Sequence, residues 1–386
     1  MRILHYLPSL SLTKGGPVRA VLDLTSGFAA RGHHVTLLTC DRGDAPSQWD
    51  GADTSKPVVT VLPAPEINSQ PFAASHKAIA AACVDQAHIV HVHGVWNYSN
   101  AQLGRMARAR GKPYLVSLRG MLDDWSVQQK ALKKRFFHCV FVKAHLERAG
   151  AVHCTAQAEL DQSGRWFPKG RGVVIANLLD LNPFRSPPGP GLAREKFPIL
   201  TNGRPNVLFL SRLHYKKGVE VLIQAASRLR ESGVHCNVIL AGTGDAQYAS
   251  AMQNLVGELE LDEYVHFVGH VGGPLKVSLY QACDLFALPT SQENFGFVFP
   301  EALASGTPII TTTGVDIWRE LKDGGGASIV DRTPDAFAAE IKALIEDPVR
   351  LARMKQATKP FVFRTYDEKT LMDQYEGLYK ELAGRE

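Results

Sequence analysis

Two pairs of charged residues in the second half of the chain have the types and the spacing to do chemistry. Arg212 and Lys217 stand five residues apart in Ser211-Arg212-Leu213-His214-Tyr215-Lys216-Lys217-Gly218. An apolar run over residues 206–210 precedes them and a helical pattern over 219–229 follows, so a strand end and a helix start are predicted around them. Cations at such a junction can converge on a diphosphate, the guanidinium as a planar fork and the ammonium as a point charge. A basic turn on a solvated surface would carry the same residues.

The second pair is Glu293 and Glu301, in Glu293-Asn294-Phe295-Gly296-Phe297-Val298-Phe299-Pro300-Glu301. The segment lies just beyond a predicted strand over 285–288, and Pro300 suits the first turn of a helix over 300–305. A loop around Asn294, Phe295, Gly296 and Phe297 lets main-chain N–H groups approach a phosphate or sugar, with Gly296 giving the room. The two carboxylates can accept hydrogen bonds from vicinal hydroxyls, one from a sugar and the other from a ribose. The plainer alternative is that Glu301 complements a helix dipole while Phe295, Phe297 and Phe299 pack the core.

Three further motifs are weaker. Lys14-Gly15-Gly16-Pro17 puts adjacent glycines at a helix N-terminus, where a donor phosphate can come close to the backbone, or where the chain simply turns. Ala241-Gly242-Thr243-Gly244-Asp245 follows a strand in the same way. His91-Val92-His93-Gly94 ends a strand, and the two imidazoles are expected on opposite faces, one packed and His93 free to enter a cleft. The chain has no DxD to hold a diphosphate through a divalent metal, and Asp123-Asp124 is an adjacent pair in a loop-like segment. There is no GxSxG and no zinc pattern, and the fourteen histidines are dispersed along the chain, so no metal and no cofactor are expected.

The elements that must position these residues are legible as alternating strands and helices. Strand patterns fall at 2–7, 35–40, 58–62, 89–93, 114–118, 152–155 and 173–176, then at 207–210, 238–241, 265–268, 285–288 and 309–311, with helical patterns between most of them. Such alternation predicts α/β architecture with mostly parallel sheets. At 386 residues the chain is long for one core. A Pro- and Gly-rich stretch divides it into an N-terminal domain (1–180), a linker (181–205) unable to sustain a helix, a C-terminal domain (206–360) and a last helix (361–386) crossing back to brace the first domain. The helical tail is expected to be interrupted near Pro348 and Pro360. Two doubly wound domains facing across a cleft would put the carboxyl ends of both sheets at one site.

A net charge of +5 favours anionic partners without demanding nucleic acid. Six cysteines without a CxxC pair point to a reducing, cytoplasmic interior. The N-terminal apolar run stops at Pro8, which does not resemble a signal peptide, and no apolar segment approaches bilayer length. Residues 126–149 combine Lys130, Lys133, Lys134, Arg135, His138, Lys143, His145 and Arg148 with Val127, Leu132, Phe136, Phe137, Val140 and Phe141. This basic amphipathic helix either meets anionic lipid peripherally or packs inside the domain with a solvated basic face.

Taken together, Glu293-x7-Glu301, Arg212-x4-Lys217 and the Gly15-Gly16 loop resemble the retaining glycosyltransferases of the GT-B fold, family four. His93-Gly94-Val95-Trp96 and Leu118-Arg119-Gly120-Met121-Leu122 resemble members that build bacterial surface polysaccharides. The resemblance implies a UDP- or GDP-linked sugar donor and a glycan or lipid-linked glycan acceptor at the inner face of the membrane. It implies that Arg212 and Lys217 hold the donor diphosphate, Glu301 the ribose, and Glu293 with the amides around Phe295 and Gly296 the donor sugar. Gly15, Gly16, Gly242, Asn294 and Phe297 would complete the donor site, His270 would touch the base, and His93 would lie near the transferred sugar. Glu293 is then a binding and electrostatic residue rather than the attacking carboxylate of a glycosidase. A nucleotide-sugar epimerase of the same fold and a noncatalytic carbohydrate-binding derivative are the alternatives.

Overall fold

The computed structural model describes residues 1–63, 71–129 and 131–384; Lys130 lies outside them. It divides into two compact units, one formed by Met1–Leu179 with the C-terminal segment from Glu368, the other by Asp180–Asp367. Among the described residues no helix is long and apolar enough to cross a membrane.

The first unit holds a parallel sheet of β1 (Arg2–Tyr6), β2 (His34–Thr39), β3 (Val58–Val61), β4 (Ile89–His93), β5 (Tyr114–Ser117), β6 (Ala151–Cys154) and β7 (Gly172–Val174), in the order β3-β2-β1-β4-β5-β6-β7. The second holds β8 (Asn206–Leu210), β9 (Asn237–Ala241), β10 (Val265–Gly269), β11 (Leu285–Leu288), β12 (Ile309–Thr311) and β13 (Ala327–Ile329), in the order β10-β9-β8-β11-β12-β13. Central β4, β5, β9 and β11 are buried at every residue, and the edge strands β7 and β13 at none. That gradient is what helices on both faces of a parallel sheet produce. Both sheets are doubly wound, as the sequence predicts. Each reverses direction once, between β1 and β4 and between β8 and β11, where the loops leaving the strands part and open a crevice.

Several elements differ from expectation. β13 has no counterpart among the predicted strands; it is three half-buried residues behind Gly324-Gly325-Gly326. The stretch 181–205 does hold helical turns, at Asn182–Arg185, Gly191–Lys196 and Pro198–Thr201. These turns are short, and Pro183 and Pro198 sit at their starts, where no intrahelical N–H is lost. The amide of Ala193 donates 2.9 Å to Ser278 Oγ, which ties this stretch to helix Gly273–Ala282. Pro360 does not interrupt the tail: it lies inside helix Pro348–Thr365.

The long helix expected over 126–149 is instead Asp124–Gln128, Ala131–Phe137, a π-turn over His138–Val142, and Lys143–Glu147. Asp123 is not in open loop but caps the first of these, accepting from the amide of Ser126. Helix Glu368–Leu382 packs in the first unit, where Arg31 bonds Asp373 and Glu376.

Candidate functional site

In the second unit the loops leaving β8 and β11 are locked together. Gly218 adopts φ +73, and a Cβ there would lie 2.3 Å from the Pro289 carbonyl oxygen. Glycine is therefore required both by its left-handed backbone and by the close approach. The Ser291 amide donates 2.8 Å to the Lys216 carbonyl. Arg332 reaches from beyond β13 to donate 2.8 Å to each of the carbonyls of Pro289 and Tyr215.

This clamp brings the Lys217 ammonium onto the Glu293 carboxylate. Lys217 is buried at the end of the turn Tyr215–Lys217, whereas Arg212 and His270 are exposed. Burial, with Lys216 and Arg212 adding like charge, pushes the ammonium down to about 7. Glu293 pulls the other way, so the charge on Lys217 depends on the anion set beside it. Glu293 is fixed through its main chain, its amide donating 2.7 Å to Gly314 and its carbonyl accepting 2.9 Å from Asp316.

Around that pair, Asn294 donates 3.0 Å to Asp316, and Phe295 is buried edge-on to Phe297 and Tyr366. Gly296 has φ +63, and a Cβ there would press on Phe299 and Glu293 at 2.6 and 2.8 Å. Phe295 thus packs as the plainer alternative supposes, while Gly296 turns the loop. Glu301 is not beside Glu293's partner. It is buried in helix Val298–Ser305, with Lys276 Nζ 2.9 Å from both its oxygens and the Tyr280 hydroxyl donating at 3.4 Å. Gly242, at φ +143, lies where a Cβ would meet the Ser211 carbonyl at 1.9 Å, so it packs β9 against the loop that carries Arg212.

In the first unit, Gly15 caps helix Gly16–Ala30 at φ +96, with open space where a Cβ would point. Nearby is a pocket of about 540 Å³ whose lining includes Pro8, Lys14, Asp41, His93, Trp96 and Lys134. It sits at the carboxyl ends of β1 and β4, at the sheet's reversal point. His91 and His93 do not part to opposite faces. They are two residues apart on one strand, so the period of two stacks them on one side, ring centroids 3.9 Å apart.

His5 of β1 joins them, and hydrogen bonding sets the tautomers. The Arg119 guanidinium can only donate, at 3.2 Å, to His93 Nδ1; His93 Nε2 then donates 3.0 Å to His5 Nδ1. On the other side His153 Nε2 donates 2.8 Å to the Ile175 carbonyl. Its Nδ1 therefore accepts 2.6 Å from Ser117, which accepts 2.6 Å from His91 Nε2, which leaves His91 Nδ1 to accept from Tyr379. Burial drives His5 and His153 to about 3, with Arg119 adding to the shift, and holds His91 and His93 well below the usual imidazole range. His5, His91 and His93 have the spacing of a three-histidine metal centre. Five of their six ring nitrogens are engaged, with one another, with Ser117 and Tyr379 and with a guanidinium, and that cation opposes a metal ion there. His93 reaches the pocket with both ring nitrogens occupied.

Sequence reasoning missed Lys276, Asp316, Arg332, Arg119 and the His5 contribution. One signal was present: Gly272-Gly273-Pro274 opens the helix of Lys276 just as Gly15-Gly16-Pro17 opens its own. His5 lies directly opposite His91 in the β1–β4 register, a pairing visible only once strand order is known.

Known proteins bear on this arrangement. Residues 193–361 match the family model "Glycosyl transferases group 1", and residues 15–177 match "Glycosyl transferase 4-like domain". The chain is 28% identical over 192 residues to alpha-D-kanosaminyltransferase of Streptomyces kanamyceticus, spanning 49% of this chain and 48% of that protein. It thus spans about half the length of that relative. It is 25% identical over 383 residues to glycogen synthase of Mycobacterium tuberculosis, spanning 92% and 89%. Among solved structures, HepE of Anabaena in complex with UDP and glucose superposes with a TM-score of 0.76 at 20% identity, over 98% of each chain. With a glycosyltransferase model matched in each half and this fold throughout, the chain belongs to the GT-B glycosyltransferases.

Proposed function

We propose that the protein is a retaining, metal-independent glycosyltransferase that moves a sugar from a UDP- or GDP-linked donor to a glycan or lipid-linked glycan acceptor. The observation that carries this reading is the Lys217–Glu293 pair at the reversal point of the second sheet. A buried ammonium, whose charge needs an anion beside it, suits a diphosphate, and Arg212 stands exposed on the same loop to take a second oxygen. Glu293, released from Lys217, accepts hydrogen bonds from the donor sugar, and Glu301, held by Lys276, accepts them from the ribose. Phe297, Asn294 and the amides around Gly296 border the sugar, while His270 meets the base.

In the transfer, the bond from the anomeric carbon to the diphosphate oxygen breaks and one to the acceptor oxygen forms on the same face. The acceptor proton passes to the departing phosphate. Arg212 and Lys217 stabilise the negative charge that develops there, an effect worth most where water is excluded. The pocket of the first unit, with Lys14, Asp41 and Trp96 on its walls, supplies polar and aromatic surface for the acceptor. UDP in the HepE complex supports a uridine donor.

Thermal denaturation with UDP, GDP, ADP and their sugars identifies the base by the ligand that raises the midpoint. Proton NMR of the first-formed product then reads the anomeric configuration. Retained configuration supports the proposal, and an inverted product or an isomerised donor without transfer overturns it.

A further inference from the structure

An apolar stripe lies uncovered on the helical segment 131–147 of the first unit. Leu132, Phe136 and Val140 are 86%, 70% and 49% exposed. They stand four residues apart, so successive turns present them on one face. Other exposed large apolar side chains, such as Leu192 and Val349, are scattered singly. The opposite face is fully committed: Phe137 packs beside Trp96, Val142 and Leu146 are buried, and His138 bonds the Trp166 carbonyl at 2.8 Å.

The stripe has a single-sign border. Lys133, Arg135 and Lys143 are exposed beside it, and no acidic residue occurs between Asp124 and Glu147. We propose that this face docks on an anionic lipid bilayer, with Leu132, Phe136 and Val140 entering the acyl boundary and the three cations meeting phosphate headgroups. A second copy of the chain fits less well, because a self-complementary contact would set these cations against themselves. Lys134, on the other side of the same turn, lines the pocket at the ends of β1 and β4. Docking therefore holds that pocket about one helix diameter, about 10 Å, from the headgroups. The docking surface stands on exposure and charge and does not depend on the transferase reading.

Cosedimentation of the full chain with vesicles tests it. Vesicles of equal parts phosphatidylcholine and phosphatidylglycerol should bind it about tenfold or more tightly than phosphatidylcholine alone, with the gain lost in high salt. Leu132→Ser with Phe136→Ser should weaken that binding about tenfold without moving the melting midpoint, since both side chains are exposed. Lys133→Glu with Arg135→Glu should erase the preference for the anionic vesicles. Equal binding to both vesicle types, or undiminished binding by the serine variant, overturns the proposal. So does a dimer in the absence of lipid that the serine substitutions dissociate, which would assign the face to a second copy.

Discussion

Both units gather polar side chains near the point where their sheets reverse, and they do so in opposite ways. In the first unit, four imidazoles, Arg119, Ser117 and Tyr379 use most of their ring nitrogens and hydroxyls on one another, on Asn177 and on the Ile175 carbonyl. In the second, a buried ammonium has one carboxylate partner, Glu293, itself on a solvent-reaching loop. The closed network can specify a fold and the position of helix Glu368–Leu382 but has little left to offer a ligand. The open pair can exchange its partner for an incoming anion. Reversal points are where α/β sheets bind ligands, and burial of polar groups alone does not tell which of them will.

Substitutions can break that contrast. Lys217→Ala should cost most in function, lowering turnover by about 10²- to 10³-fold, the usual effect of removing one preorganised donor. Its melting midpoint should stay near wild type, since a depressed ammonium contributes little to the fold. A variant that melts early would place Lys217 with the structural group. His91→Ala should behave in reverse, costing about 3 kcal/mol by leaving the Tyr379 hydroxyl without its acceptor beside a cavity, measured by urea unfolding.

Acid sharpens the distinction through His5 and His153. Their folded values, about 3, lie below the ordinary 6.5 of the unfolded chain, so the unfolded state binds more protons between those limits. Stability should therefore fall as pH drops from about 6.5 toward 3, by about 2 kcal/mol for each at pH 5. A flat denaturation midpoint from pH 7 to 5 would show that the imidazoles are not held neutral. The smallest effect should come from Gly15→Ala, about 1 kcal/mol for the positive φ alone, because nothing crowds the new methyl group.

The sequence carries the fold because its strands are dense apolar runs that survive any neighbour. It does not carry β13, whose Ala-Ser-Ile is half-buried and follows three glycines. Arg212-x4-Lys217 and Glu293 are visible as motifs. The contact of Lys217 with Glu293 is not, since it depends on Gly218 lying against Pro289. Glu301 likewise meets Lys276 through the packing of two helices, with no spacing rule to reveal it. His91 and His93 show the reverse failure: the rule of two was sufficient, and the expectation misapplied it. The π-turn at His138–Val142 leaves the apolar periodicity almost unchanged, so only backbone hydrogen bonds expose it.

The central claim is that the Lys217–Glu293 pair receives the donor diphosphate. Isothermal titration of UDP and GDP into the wild-type chain and into Lys217→Ala reads it directly. The account predicts that one nucleotide binds the wild type and loses about tenfold or more in affinity with Lys217→Ala. Equal affinity in the two chains, both folded, would contradict it.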